Sequence, residues 1–167
     1  IPPEAELGVW RIDQFSRHDN PVALQHIDTE LAPQIGFPWL ATCRTIAQGG
    51  ASTLEAAQQL QAVKLLVEAG AFALAIEDDF SLVTEALAFA PDQGGIRLLS
   101  WPYFSAAEAE KMDSEKIYDW LATAPARGAQ VAKLALTITS DRHLLEVFTA
   151  MANYSRDTAG TRLYMVE

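Results

Sequence analysis

The sequence lacks the features typical of secreted, membrane-spanning and nucleic-acid-binding proteins. A single cysteine, Cys43, excludes an internal disulfide. Lys and Arg total 12 against 22 Asp and Glu, and no stretch gathers the basic residues into a stripe, so we expect no direct contact with nucleic acid. No apolar run approaches the roughly 20 residues that cross a bilayer, and no signal peptide is visible, so we expect no membrane contact.

What the sequence does contain is enough apolar material for one substantial core. The chain has 167 residues, of which 50% are hydrophobic, and this predicts a single globular domain over residues 1–167. The chain begins without methionine and ends on the strand-like run TRLYMVE. We therefore expect it to be an excerpt of a longer polypeptide.

Six short segments rich in apolar, β-branched or aromatic residues predict strands. They run continuously apolar more than they alternate, as strands covered on both faces do. The segments are residues 8–13, 38–43, 72–77, 96–101, 131–138 and 162–166.

Helix-like segments separate these strands. Ser52 and Glu55 predict a capping box at the start of one helix, and Gly70 predicts its end. Ser105 and Glu108 repeat the box after the fourth strand. A separate helix is predicted from residue 114, and shorter helices are predicted around residues 24–31 and 81–89.

A longer helix follows the fifth strand, and either Ser140 or Asp141 can cap it. Several of its apolar residues fall on one face at helical spacing. We expect this face to be buried, and it consists of Leu144, Leu145, Phe148, Met151 and Ala152.

The alternation of strand and helix predicts an α/β fold with about six parallel strands. Two architectures are compatible with this alternation: an open doubly wound sheet, or a (β/α)8 TIM-like barrel that is incomplete because only six strands are present. A nucleotide-binding open sheet normally has a glycine-rich turn after its first strand. Residues 11–20, RIDQFSRHDN, contain no glycine, so the dinucleotide interpretation is weak.

Polar residues in or just after the strands are the candidate site residues, because both architectures bind ligands at the carboxyl ends of their strands. Two arginines, a lysine and several hydroxyl groups among them predict a cationic cavity suited to a carboxylate. In chain order the candidates are Arg11, Asp13, Arg44, Gln48, Glu77, Asp78, Asp79, Ser100, Lys133 and Thr137.

Several candidates also have a structural interpretation. Arg11 can form an ion pair with a core carboxylate as readily as it can contact a ligand. Arg44 can contact a ligand, which is slightly favoured, or lie in a solvated loop. The side chains of the consecutive acidic residues 77–79 point in different directions, and no histidine is nearby in the sequence. Helix capping is therefore favoured over metal binding. We interpret the three histidines, His18, His26 and His143, as surface residues.

Lys133 stands inside the apolar run VAKLALTI, where a charged amine needs a partner or loses its proton. A desolvated lysine has a lowered pKa, and its neutral amine can attack a carbonyl to form a Schiff base. Pairing with an interior carboxylate is the equally weighted alternative.

The order of several short motifs carries a family resemblance. The motifs are WRID at residues 10–13 with Phe15, Arg44-Thr45 followed by Gly49-Gly50, Ser100 and Phe104, and GAQVAKLAL with Ser140 following. Together they resemble the type I 3-dehydroquinate dehydratases, (β/α)8 enzymes of the shikimate and quinate pathways. The resemblance implies that the chain covers strands two to seven of the barrel and that Lys133 falls on the family's Schiff-base lysine.

The departures from the family concern the groups that transfer protons. The family's acidic residue two before the first arginine is Val9 here, its glutamate in the loop after the second arginine is Gln48, and its catalytic histidine falls at Pro102. Without a positioned acid and base, the reaction at a Schiff-base lysine is slower by a factor of about 10² to 10⁴. We therefore predict a pseudoenzyme in which Arg11, Arg44, Gln48 and Lys133 are a vestigial pocket, with no cofactor and no metal.

The fungal quinate-utilisation repressors are a class with this character, and the resemblance to them implies a role in transcriptional control. Such a domain would sense quinate, dehydroquinate or shikimate, or dock a transcription activator, in the nucleus or the cytoplasm. The alternative is an active type I dehydratase in which Tyr103 or His18 replaces the lost histidine. An open barrel also exposes parallel strand edges, which we expect helices, flanking segments or a homodimer partner to cover.

Overall fold

The computed structural model describes residues 7–15, 26, 30–89, 95–103, 105–158 and 163–166, with the side chains of 102, 103 and 163–166 left out. No helix in this part of the chain is long and apolar enough to cross a membrane. The strands described are β1 (Gly8–Arg11), β2 (Trp39–Thr42), β3 (Ala73–Glu77), β4 (Ile96–Tyr103), β5 (Val131–Leu136) and β6 (Leu163–Val166). The α-helices described are α1 (Ala56–Glu68), α2 (Val83–Ala88), α3 (Ala106–Ala109), α4 (Ser114–Thr123) and α5 (Asp141–Asp157).

The strands follow one another in chain order from β1 to β6, as βα units joined by crossover helices require. The pairings of β1 with β2, of β2 with β3 and of β5 with β6 are parallel. The predicted α/β alternation is confirmed. Contacts divide the chain into two compact units, Ile1–Leu98 and Leu99–Glu167. The single domain expected over residues 1–167 remains a prediction.

The core of the first unit is built around β2 and β3, in which every residue is buried. Ala41 and Leu74 have no exposed surface, and α1 packs Val63 and Leu66 over the sheet at 1% exposure each. Burial on both faces explains why these segments are continuously apolar and do not alternate.

Helix α1 begins later than the sequence predicted. Its N-cap is Glu55, whose side chain forms a capping box with Gln58, and Ser52 instead forms an isolated bridge with Thr45. The predicted Ser52–Glu55 box is therefore wrong, because a second box with the same spacing lies three residues further along the chain. The predicted end is confirmed, since Gly70 has a φ of 94° and follows Ala69, the C-cap of the helix.

The helix starts of the second unit agree with the sequence. The Ser105 side chain accepts from the backbone N–H of Glu108, and the Ser140 side chain accepts from that of His143. The separate helix predicted from residue 114 is α4, which Asp113 caps.

The buried face of α5 differs from the expected one. His143, Val147, Ala150 and Tyr154 are buried, whereas the expected residues Leu144, Leu145 and Phe148 are 38%, 64% and 55% exposed. Helix α4 decides the orientation: its Ser114 backbone N–H donates to Glu146, and its Tyr118 ring meets the Tyr154 ring edge-on at 6.2 Å. The helix has two stripes with helical spacing, and the stripe with fewer large apolar residues faces inward.

Candidate functional site

The polar candidates of the first unit gather where β1, β2 and β3 end. The parallel register places Arg11 beside Thr42 and Thr42 beside Ala75. Arg44 and Glu77 each follow this row by two residues, so the alternation along a strand places them on the same side. These polar side chains of the first unit therefore lie near one another at the carboxyl ends of the strands.

Arg11 and Asp13 form a two-pronged ion pair. Nε and Nη2 of Arg11 donate to the two carboxylate oxygens at 2.9 and 2.6 Å. The Arg11 side chain is 29% exposed and that of Asp13 is fully buried. The hydrogen bond to Asp13 raises the pKa of Arg11. Of the two roles open to Arg11, the structure places it in an ion pair.

Asp13 also accepts hydrogen bonds from beyond its own segment. The backbone N–H groups of Arg44 and Ala51 donate to it at 3.2 Å each, and the Gln14 side chain donates at 3.1 Å. Burial alone would raise the pKa of Asp13, but the hydrogen bonds from Arg11, Arg44 and Gln14 outweigh it and lower the pKa to about 2. Asp13 is therefore ionised at any physiological pH.

Arg44 pairs with Glu77 across neighbouring strands. Nε lies 2.7 Å from Oε1, with side chains 15% and 2% exposed. The N–H of Arg44 Nε is not aligned as a hydrogen bond, so the contact is an ion pair by distance. Arg44 is thus not a solvated loop arginine, and Glu77 balances its charge locally.

The loop after Arg44 is closed by its own hydrogen bonds. Gln48 is 3% exposed; its side-chain oxygen accepts from the Thr45 backbone, and its side-chain nitrogen donates to Asp79 at 2.5 Å. Gly49 has a φ of 71°, and a Cβ on Gly50 would lie 2.1 Å from the Arg44 carbonyl oxygen. This backbone path requires the two glycines.

The predicted capping role of the acidic residues 77–79 is wrong. Helix α2 begins at Val83 with Leu82 as N-cap, and no side chain caps it. Glu77 and Asp79 are engaged by Arg44 and Gln48 instead. Within the part of the chain that the structure describes, no three His, Cys, Asp or Glu side chains are grouped to hold a metal ion.

A cavity of about 310 Å³ lies beside β1, mainly between apolar side chains. Val9, at the position that the resemblance assigns to an acidic residue, is 62% exposed there, and the ring centroids of Trp10 and Trp39 lie 5.4 Å apart at its wall. A Cβ on Gly8 would meet the Phe37 ring at 2.5 Å, so that ring would have to shift. The lining residues are Gly8, Val9, Trp10, Arg11, Ile35, Phe37 and Trp39.

In the second unit, Lys133 lies in the middle of β5. It is partly exposed between the buried Ala132 and Leu134, and its register partner on β6 is Met165. Pro102 belongs to β4, which runs two residues beyond the predicted end. Ser100 is buried and Thr137 is exposed. The side chains of Pro102 and Tyr103, and all of His18 and Phe104, lie outside the described residues.

The histidines differ from one another. His26 is exposed and lies 3.2 Å from Glu30, as a surface interpretation expects. His143 is only 5% exposed, and both ring nitrogens lack a hydrogen-bond partner among the described residues, so its surface interpretation is wrong. The sequence signal for its burial is that His143 shares helical spacing with Val147, Ala150 and Tyr154.

Gln59 is a buried polar residue that the sequence did not single out. Its side chain donates to the Cys43 carbonyl oxygen at 2.5 Å, which ties α1 to the end of β2. Burial raises the pKa of the Cys43 thiol to about 11. Cys43 is therefore an inert core residue rather than a nucleophile.

Comparison with known proteins decides the family. The family model described as type I 3-dehydroquinase matches residues 4–163. The chain belongs to the type I 3-dehydroquinase family. No curated protein sequence matches this dehydroquinase-family chain.

Solved structures extend the comparison to the fold. The type I 3-dehydroquinate dehydratase of Clostridium difficile has 19% identity and a TM-score of 0.83, over 99% of this chain and 65% of that one. The enzyme of Enterococcus faecalis has 20% identity and a TM-score of 0.78, over 97% and 67%. The Schizosaccharomyces pombe AroM structure, containing dehydroquinate dehydratase and shikimate dehydrogenase, has 16% identity and a TM-score of 0.70, over 97% and 31%.

These likenesses confirm the incomplete TIM-barrel-like fold of the dehydroquinase-family chain. At such identities they establish the fold alone, since one fold hosts many activities. The chain spans about two thirds of the length of the Clostridium difficile structure, at 65%.

Proposed function

We propose that the chain is a non-catalytic type I dehydroquinase-like domain of a transcriptional repressor of quinate utilisation. It would sense a metabolite of the pathway, dock the transcription activator, or do both. The observation that carries the proposal is Pro102, which occupies the position that the resemblance assigns to the catalytic histidine. A proline side chain neither accepts nor donates a proton, so acid–base catalysis from this position is lost.

The state of Gln48 supports the loss of chemistry. The resemblance assigns this position to a glutamate, and an amide cannot take a proton as a carboxylate does. Gln48 is buried and already hydrogen-bonded to Thr45 and Asp79. Gln48 therefore stabilises the local structure, and its amide cannot replace the glutamate carboxylate as a proton acceptor.

The two arginines bear on metabolite binding and not on the loss of acid–base chemistry. Each is paired inside its own unit, Arg11 with Asp13 and Arg44 with Glu77. These buried carboxylates reduce the net positive charge that a carboxylate ligand would meet. Metabolite binding through the remaining guanidinium N–H groups would then be weaker than in a site with uncompensated arginines.

An active dehydratase is the second candidate, because Lys133 is partly exposed on β5 and therefore accessible to a substrate. Incubation of the protein with dehydroquinate, followed by absorbance of dehydroshikimate, separates the two functions. We expect no turnover above background. Turnover that disappears in Lys133→Ala would establish the active enzyme.

Calorimetry with quinate, dehydroquinate and shikimate at millimolar concentration tests the sensing role, and co-purification with the pathway's transcription activator tests docking. Heat with at least one metabolite, or capture of the activator, supports the proposal. Silence in both experiments would contradict it and leave an interaction module with some other partner.

A further inference from the structure

The carboxylate of Asp13 is saturated with hydrogen-bond donors. It receives five N–H groups: two from Arg11 and one each from Gln14, Arg44 and Ala51. An ionised carboxylate offers about four lone-pair sites, and Asp13 is 2% exposed. No acceptor capacity remains for a ligand, a metal ion or a proton in transit.

The donors come from two separate segments of the chain. Arg11 ends β1 and Gln14 lies in the turn directly after it. Arg44 and Ala51 lie at the two ends of one loop. Nη2 of Arg11 also reaches the Gly49 carbonyl oxygen at 3.4 Å. The Arg11–Asp13 pair therefore holds both ends of the loop against β1.

The loop has little freedom apart from this attachment. The backbone N–H groups of Gly50 and Ser52 donate to the carbonyl oxygens of Thr45 and Arg44 at 2.8 and 3.1 Å. A loop closed on itself moves as one piece, so its attachment to β1 decides where the side chains it carries lie. Those side chains include Arg44 and Gln48.

We infer that Asp13 is a positioning residue that fixes the guanidinium of Arg11 and attaches the Arg44–Ala51 loop to β1. It acts through the groups it holds. This role does not depend on the proposed repressor function, since a catalytic and a non-catalytic domain would both need the arginines in place.

The test is nuclear magnetic resonance of the protein and its Asp13→Asn variant. Asn keeps the shape of Asp but brings N–H donors towards N–H donors and has no charge. We expect the Arg11 Nε–H signal to be lost and the exchange of the Arg44 and Ala51 amides to accelerate about tenfold or more. Asp113→Asn is the matched control, because it removes the same charge from the N-cap of α4, in the second unit.

A folded Asp13→Asn variant that keeps the Arg11 Nε–H signal and the protection of both amides would overturn the inference. If the variant does not fold, exchange in the unchanged protein still decides. Protection of the Arg44 and Ala51 amides is required, and exchange at the rate of an unstructured peptide would refute the attachment.

Discussion

Arg44 and Glu77 leave neighbouring strands on the same side and meet with Nε and Oε1 2.7 Å apart, both largely out of solvent. Their partnership is not local, because β3 lies a helix and two loops beyond Arg44 in the chain. It forms only when β2 and β3 pair in the observed register. The pair therefore depends on the assembled sheet. Substitutions in the first unit test this contact and others like it.

Removing one charge of this pair is expected to be costly. Glu77→Gln leaves the Arg44 guanidinium poorly compensated, and breaking a buried ion pair typically costs roughly 3–5 kcal/mol. Denaturant unfolding measures the loss. Glu85→Gln, on an exposed position of α2, is the control and should change the free energy of unfolding little. Equal effects of the two substitutions would show that Glu77 does not stabilise Arg44.

Stability should depend on pH through Asp13. Its pKa is lowered from 3.8 to about 2 in the folded protein, so its contribution is present above pH 4 and disappears as the pH falls towards 2. That difference corresponds to roughly 2 kcal/mol. Unfolding free energies measured between pH 2 and pH 6 should fall less steeply in Asp13→Asn than in the unchanged protein. Parallel curves would contradict the assignment.

Gly50→Ala should disrupt the loop. The added Cβ would lie 2.1 Å from the Arg44 carbonyl oxygen, which is backbone and cannot rotate away. We expect a loss of about 2 kcal/mol or more in the free energy of unfolding. Gly36→Ala is the matched control, because a Cβ there meets nothing within 4 Å. Comparable stabilities of the two variants would mean that the loop has another path.

His143→Leu should be neutral or stabilising. The imidazole is buried with no hydrogen-bond partner for either nitrogen in the described part of the chain. Replacing an unsatisfied buried polar group by an apolar one of similar size removes a cost of about 1–3 kcal/mol. Thermal unfolding measures the change, with His26→Leu as the exposed control. A marked loss in His143→Leu alone would reveal a partner for the ring.

The sequence predicted the strands well, because βα alternation and continuous apolar runs are local patterns with one common structural origin. It predicted two helix starts from Ser105 and Ser140, whose caps are also local. At Ser52 the same rule failed, because Glu55 and Gln58 offered a competing box and the Ser52 side chain accepts from the backbone N–H of Leu54 instead.

The candidate site could be predicted by residue type but not by pairing. Arg11 and Arg44 were recognised as strand-end cations. Arg11 pairs with Asp13 only two residues along the chain, whereas the pairing of Arg44 with Glu77 depends on the register of β2 and β3, which no local pattern encodes. The inward face of α5 was missed for a related reason: Leu144 and Val147 both belong to helical stripes, and only the packing of α4 chooses between them.

The proposed absence of dehydratase chemistry is tested most directly by the amount of dehydroshikimate formed per mole of protein after prolonged incubation with dehydroquinate. The unchanged protein and Lys133→Ala are compared side by side, so that a contaminating activity contributes equally to both. The proposal predicts identical traces at background level. Dehydroshikimate formed by the unchanged protein in several molar equivalents, and not by Lys133→Ala, would show an active dehydratase and contradict it.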